Sequence, residues 1–438
     1  MRLPLPLHAG DAAQARASGS MTRPDPPQHL PPRLIVADPG LRSALGHNLG
    51  YSVAVAQAAR AQGMASVVLA SRDFRGRLPD GITYRPSFAP ARRPLGSGTL
   101  RRAWFGLVAH LPSPLAAHVM PPMRALREAL RRPAVDGFGA QLAAALAASG
   151  DTSRDFVLLH TVSAANLTGL SAAVPPTELG ALTIVLRHTP KEMDRVEAGP
   201  QPIVTILAGL TAHFGARLRL VADTAPLARL WSSVLDCRVG EVPLPVVAPP
   251  PRDTPSGQPP HVVFAGGARA EKGYGLLPEL VRLLAGEARF TIHSGPIGAT
   301  DDPLVQRAHR KLRTLVGARL TLLERPLPPE GYLALLSAAD LLLLPYCAQA
   351  YGPRSSGILA EARAMGVPAV VPAGCWLGDE VGPDPALRFR DATGIAPAVQ
   401  HALAKLPALR EEYAAAAPAW RQAHSPAALL AQLLRETR

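Results

Sequence analysis

Short aliphatic runs recur along this chain, spaced so that one helix fits between each pair. RLIVAD (33–38), ASVVLA (65–70), FVLLH (156–160), LTIVL (182–186) and LRLVA (218–222) fill the first half. HVVFA (261–265), 290–293, 320–323, LLLLP (341–345), AVV (369–371) and 387–389 fill the second. Runs this short and this uniformly apolar are strands buried on both faces, and such strands alternate with helices in parallel sheets. The expected class is therefore α/β, built from βα units. Proline is dense between 241 and 260. It fixes φ and stiffens a connector, so 246–260 reads as a linker between domains at 33–245 and 261–410. Residues 411–438 read as helices with room to cross back to the first domain. The helical composition from Thr393 onward is expected to break at Pro407, Pro418 and Pro426. Residues 1–32, rich in Pro, Ala and Gly and lacking periodicity, read as a disordered extension.

A chain of 438 residues accommodates two such domains. The formal charge of +13 points to anionic partners: nucleotide phosphates, nucleic acid or an acidic membrane surface. No Lys/Arg run has interleaved aromatics, so nucleic acid is set aside. Arg124, Arg127 and Arg131 fall at helical spacing and would share one face, which admits peripheral contact with an anionic membrane; the plainer reading is a solvated face of a core-packed helix. No apolar stretch is long enough to span a bilayer. Cys237, Cys347 and Cys375 form no C-x-x-C pair, which argues against a zinc or dithiol site and suits a reducing cytoplasm.

The loops that follow the strands carry the chemistry, because open α/β sheets bind ligands at strand carboxyl ends. Gly46 and His47 follow the first strand. His47 reads as a general base or phosphate contact, or as a capping residue. His160 and His188 end two further strands. After 261–265 comes a turn holding Gly266, Gly267, Arg269, Lys272 and Gly273. Lysine is rare in this chain, and here Lys272 stands with Arg269 among free backbone N–H groups, an arrangement suited to a pyrophosphate. The turn matches neither the dinucleotide fingerprint nor the Walker pattern. Ser355, Ser356 and Gly357 open the helix that follows 341–345, and a helix start without bulky side chains receives a phosphate. Glu361, about one turn inside, is placed to accept hydrogen bonds from a ribose diol. Gly366 suits the C-cap, and Pro368 blocks continuation.

FAGGARAEKGY followed downstream by SSGILAEARAMGVPAVV resembles the C-terminal domain of GT-B glycosyltransferases, in particular glycosyltransferase family 4, the "group 1" type. GHNLGYSVAVAQAARAQG resembles that class's glycine-rich first loop and helix, and ADTAPLARLW with VPLPV resembles its approach to the linker. The resemblance implies two Rossmann-like domains whose parallel sheets face each other across a cleft. It implies a nucleoside-diphosphate sugar held mainly by the second domain and a glycan, lipid or small acceptor held by the first. Lys272 would contact the donor diphosphate, Glu361 the ribose, and His160 would be the catalytic or acceptor histidine. The usual anomeric outcome is retention. Neither a metal nor a resident cofactor is expected, since the nucleotide sugar enters as substrate.

The chain departs from that pattern twice. Gly267 stands where the basic pair has its arginine, which is displaced to Arg269. Pro353 stands where the two-glutamate motif has its first acid. Two rivals follow: a non-catalytic nucleotide-sugar-binding protein of the same fold, and a nucleotide-sugar epimerase, which would need further carboxylates in the cleft for proton abstraction.

Overall fold

The computed structural model describes residues 32–43, 47–89, 137–196, 201–247, 259–298 and 301–435. Gly46, the basic face at Arg124, Arg127 and Arg131, and the segment 1–31 lie outside the described residues.

Among the described residues, thirteen strands form two parallel sheets. The first holds β1 (Leu34–Asp38), β2 (Ser66–Ser71), β3 (Thr83–Phe88), β4 (Phe156–Leu159), β5 (Ala181–Leu186), β6 (Leu218–Ala222) and β7 (Gly240–Glu241), in the order β3-β2-β1-β4-β5-β6-β7. The second holds β8 (His261–Phe264), β9 (Arg289–His293), β10 (Leu320–Leu323), β11 (Leu341–Leu343), β12 (Ala369–Pro372) and β13 (Arg388–Phe389), in the order β10-β9-β8-β11-β12-β13. Both are doubly wound: the strand order reverses beside the first strand, between β1 and β4 and between β8 and β11. Such reversals open a crevice at the strand carboxyl ends. The central strands are buried along their whole length, as their uniform aliphatic sequences require. β3 sits at the sheet edge, where Pro86 removes no hydrogen bond that a further neighbour would need.

The first helix spans His47–Ala61. The helix Leu406–Ala423 runs through Pro418 without the expected break. Pro418 is on the exposed side, so water can solvate the Ala414 carbonyl that it leaves without a donor. Pro407, in the first turn of that helix, costs no hydrogen bond. The last helix, Pro426–Arg435, places Leu429, Leu430 and Leu433 in the first half's core, beside Val55 and Ala59 of the first helix. The preceding helix grips the second half instead: Trp420 donates its indole N–H to the Ala360 carbonyl at 3.0 Å. No helix among the described residues is long and apolar enough to cross a membrane.

Candidate functional site

Two loops flank the reversal in the second sheet. The first leaves β8 through Gly266 and Gly267 and closes in a short helical turn, Ala270–Lys272. Gly266 holds φ +128°, and a Cβ there would lie 2.4 Å from Ile358 Cδ1 and 2.8 Å from Lys272 Nζ. An L side chain is strained at that φ, so glycine suits the position. Lys272 donates to the Gly266 carbonyl at 2.7 Å, and its ammonium lies 5.5 Å from the Tyr346 ring centroid. Burial lowers the Lys272 pKa to about 8, helped by the Arg269 and Arg354 charges. Arg269 itself is exposed, 3.8 Å from Glu271. Gly267 sits half-buried on the same turn.

The second loop leads from β11 to the helix Gly357–Ala364. Ser356 is its N-cap, buried, accepting from Leu359 N–H at 3.4 Å. Gly357 is exposed at the first position, and its N–H and that of Ile358 have no acceptor inside the helix. Ile358 is the residue that meets Gly266, so the helix start and Lys272 converge on one glycine. Glu361, one turn on, accepts from the Tyr332 hydroxyl at 3.0 Å. Burial pushes its carboxyl up to about 7, opposed by that hydrogen bond.

The first half meets this loop through three polar contacts. Thr224 donates to the Pro353 carbonyl at 2.5 Å, Arg354 pairs with Glu192 at 2.8 Å, and Ser355 donates to Asp223 at 2.7 Å. Thr224 also caps the helix Ala225–Leu235. His188, which follows β5, is open to solvent yet walled by protein on most sides, as a group in a cleft is. Burial and the Arg354 charge lower its pKa to about 4, so it is neutral at pH 7. Position alone would have singled it out: strand-end residues face the crevice, and two histidines end strands here.

The other, His160, lies deeper. It is 1% exposed and stacks on Tyr51, with ring centroids 4.3 Å apart. Ser52 Oγ at 2.8 Å and Asp38 Oδ2 at 3.3 Å both approach its Nε2, while Nδ1 is unpartnered. A relay needs its base and carboxylate on opposite ring nitrogens, so this Ser–His–Asp group is a buried network and not a nucleophile-activating triad. Burial keeps His160 below the usual imidazole range. His47 begins the first helix.

A cavity of about 360 Å³ borders the Gly-rich turn, lined by Ala270, Gly273, Leu276, Pro345, Tyr346 and Phe389 among others. Neither Lys272 nor Ser356 lines it. Among the described residues, no group of three or more His, Cys, Asp or Glu side chains is placed to hold a metal ion.

No protein-family model matches the sequence, and a search of the curated proteins finds no match. Solved structures do match in fold. Sucrose-phosphate synthase from Thermosynechococcus elongatus is 15% identical, with 92% of this chain and 98% of that one covered, at a TM-score of 0.62. An α,α-trehalose-phosphate synthase (UDP-forming) from Burkholderia xenovorans, solved with glucose-6-phosphate, is 12% identical over 92% of this chain and 99% of its own, at 0.61. HepE of Anabaena, solved with UDP and glucose, is 12% identical over 92% and 98%, at 0.60. These neighbours are GT-B glycosyltransferases, and the fold shared with them is the GT-B fold: two parallel α/β domains facing across a cleft.

Proposed function

We propose that this protein transfers a sugar from a nucleoside-diphosphate sugar to a hydroxyl of a glycan, lipid or small acceptor, with retention at the anomeric carbon, as a family 4 type enzyme does. The observation that carries the reading is the convergence of Lys272 and the Gly357–Ala364 helix start on Gly266. Breaking the anomeric C–O bond leaves negative charge on the departing diphosphate. Cations and N–H donors already aimed at that charge lower the barrier without reorganising. Lys272, Arg269 and the N–H groups of Gly357 and Ile358 are the groups assigned here. Glu361, half-ionised around pH 7 and holding one hydroxyl partner, is assigned the ribose diol. His188 is assigned to the acceptor side of the cleft. His160, buried behind Tyr51, acts as a positioning residue. Gly46, outside the described residues, and His47, at the start of the first helix, are assigned to the same crevice.

That neighbouring proteins were solved with UDP, glucose and glucose-6-phosphate supports a nucleotide sugar and a sugar acceptor as the substrate classes. A second reading, ligand binding without turnover, draws on Pro353: its carbonyl is engaged by Thr224 and its side chain offers no acid. Turnover across a panel of uridine, guanosine and adenosine diphosphate sugars separates the two. The transfer reading expects donor hydrolysis or transfer with at least one donor, abolished by Lys272→Ala and by Glu361→Ala in folded protein. Full activity in both variants would remove these residues from the site. Tight binding with no turnover would establish the second reading.

A further inference from the structure

Arg187 and Asp223 directly follow β5 and β6, on the wall of the first half that meets the helix start, and the diphosphate reading uses neither. Asp223 is 6% exposed. Its Oδ2 accepts from Ser355 Oγ at 2.7 Å, while its Oδ1 is buried with no partner. The Arg187 guanidinium lies over the Tyr51 ring, 4.4 Å from its centroid, and its Nε and Nη2 are buried with no partner. The charge of Arg187 acts on Asp223, yet no ion pair closes between the two. Native interiors seldom leave a buried donor or acceptor open. The cover comes from the seam itself: Ser355 holds Asp223, and the neighbouring Thr224 holds Pro353. Asp223 therefore lies at the contact between the two halves.

We propose that Arg187 and Asp223 form a sugar-hydroxyl subsite, in which one ligand hydroxyl accepts from the Arg187 N–H groups and donates to Asp223 Oδ1. A hydroxyl is both donor and acceptor, so it satisfies both residues. An anion would face the Asp223 carboxylate, and a cation would face Arg187. This inference rests on the glycosyl-transfer reading and deepens it. The hydroxyl belongs either to the sugar being transferred or to the acceptor, and the test separates these sources.

The test uses the full chain with Asp223→Asn, Arg187→Met and Ser355→Ala. Asn keeps an oxygen for Ser355 but can turn the open acceptor into a donor; Met keeps bulk over Tyr51 without the N–H groups. Binding of nucleoside diphosphates and of the matching nucleotide sugars is measured by calorimetry, followed by KM for donor and acceptor. Asp223→Asn and Arg187→Met should leave nucleoside-diphosphate affinity within about twofold of wild type, and should weaken one sugar-dependent step by about tenfold or more. Loss of the extra affinity of nucleotide sugar over nucleoside diphosphate identifies the donor sugar; a raised acceptor KM identifies the acceptor. Ser355→Ala should instead weaken nucleoside-diphosphate binding itself. If neither variant moves either step, the open atoms hold only water and the subsite is overturned. If both weaken nucleoside diphosphate in step with Ser355→Ala, they act through the helix start, and the subsite is again overturned. Wild-type protein that binds no nucleoside diphosphate would fail the glycosyl-transfer reading first, and the subsite with it. If Asp223→Asn does not fold, Arg187→Met carries the test.

Discussion

Replacing Glu361 by Gln should stabilise the protein, and the gain should grow with pH. Glu361 is pushed from 4.5 to about 7 by burial. Between those values the folded protein holds a proton that the unfolded chain has released. Stability credited to this group is therefore full below pH 4.5 and lost as pH rises through 7. At pH 8 the folded state carries a buried carboxylate at a cost of about 3 kcal/mol, from 1.36 kcal/mol for each of roughly 2.5 pKa units. Gln is neutral, keeps an oxygen for the Tyr332 hydroxyl, and never incurs that cost. The assay is urea unfolding of wild type and Glu361→Gln at pH values from 4.5 to 8.5. The free-energy difference between the two should open by about 3 kcal/mol in favour of Gln across that range. The same variant should bind nucleotide sugar more weakly, since a carboxylate accepts from a ribose diol better than an amide does. A difference that stays flat with pH would refute the assignment of a near-neutral, desolvated carboxyl to this helix.

Three further outcomes are expected. Lys272→Ala should weaken nucleoside-diphosphate binding roughly 10- to 100-fold, the range for a charge-assisted hydrogen bond; wild-type affinity should fall as pH rises through about 8, where free Lys272 loses its proton, and the variant should show no such step in calorimetry. Gly266→Ala should cost on the order of 1–3 kcal/mol in unfolding free energy, because alanine is strained at φ +128° and its methyl meets Ile358. A double-mutant cycle on Arg354→Ala and Glu192→Gln should return a coupling of about 1 kcal/mol or more, since both partners are mostly buried, at 20% and 16% side-chain exposure.

The two sheets were legible because their strands are buried on both faces, which leaves an unbroken aliphatic signature. β3 was hidden for the opposite reason. As an edge strand it carries Thr, Tyr, Arg and a proline, and nothing in TYRPSF marks it as sheet. Pro418 misled because proline's penalty depends on what happens to the carbonyl one turn back, and exposure makes that cheap here. The turn and helix start proposed to hold a diphosphate were readable as glycine, cation and small-residue spacing, features set by local backbone needs. What sequence could not resolve was which strand-end histidine turns toward the cleft. His160 folds beneath Tyr51, whereas Arg187 takes the inward place beside Tyr51 and His188 emerges. Nor does spacing show that Asp223 reaches Ser355 across the seam while Thr224 caps the helix that follows.

The most direct test is calorimetric titration of uridine, guanosine and adenosine diphosphates into wild-type protein and Lys272→Ala at pH 7. Saturable one-to-one binding of at least one nucleotide by wild type, lost or sharply weakened in the variant, is the predicted result. No binding of any of the three, or equal binding by both proteins, would contradict a diphosphate held where Lys272 meets the Gly357–Ala364 helix.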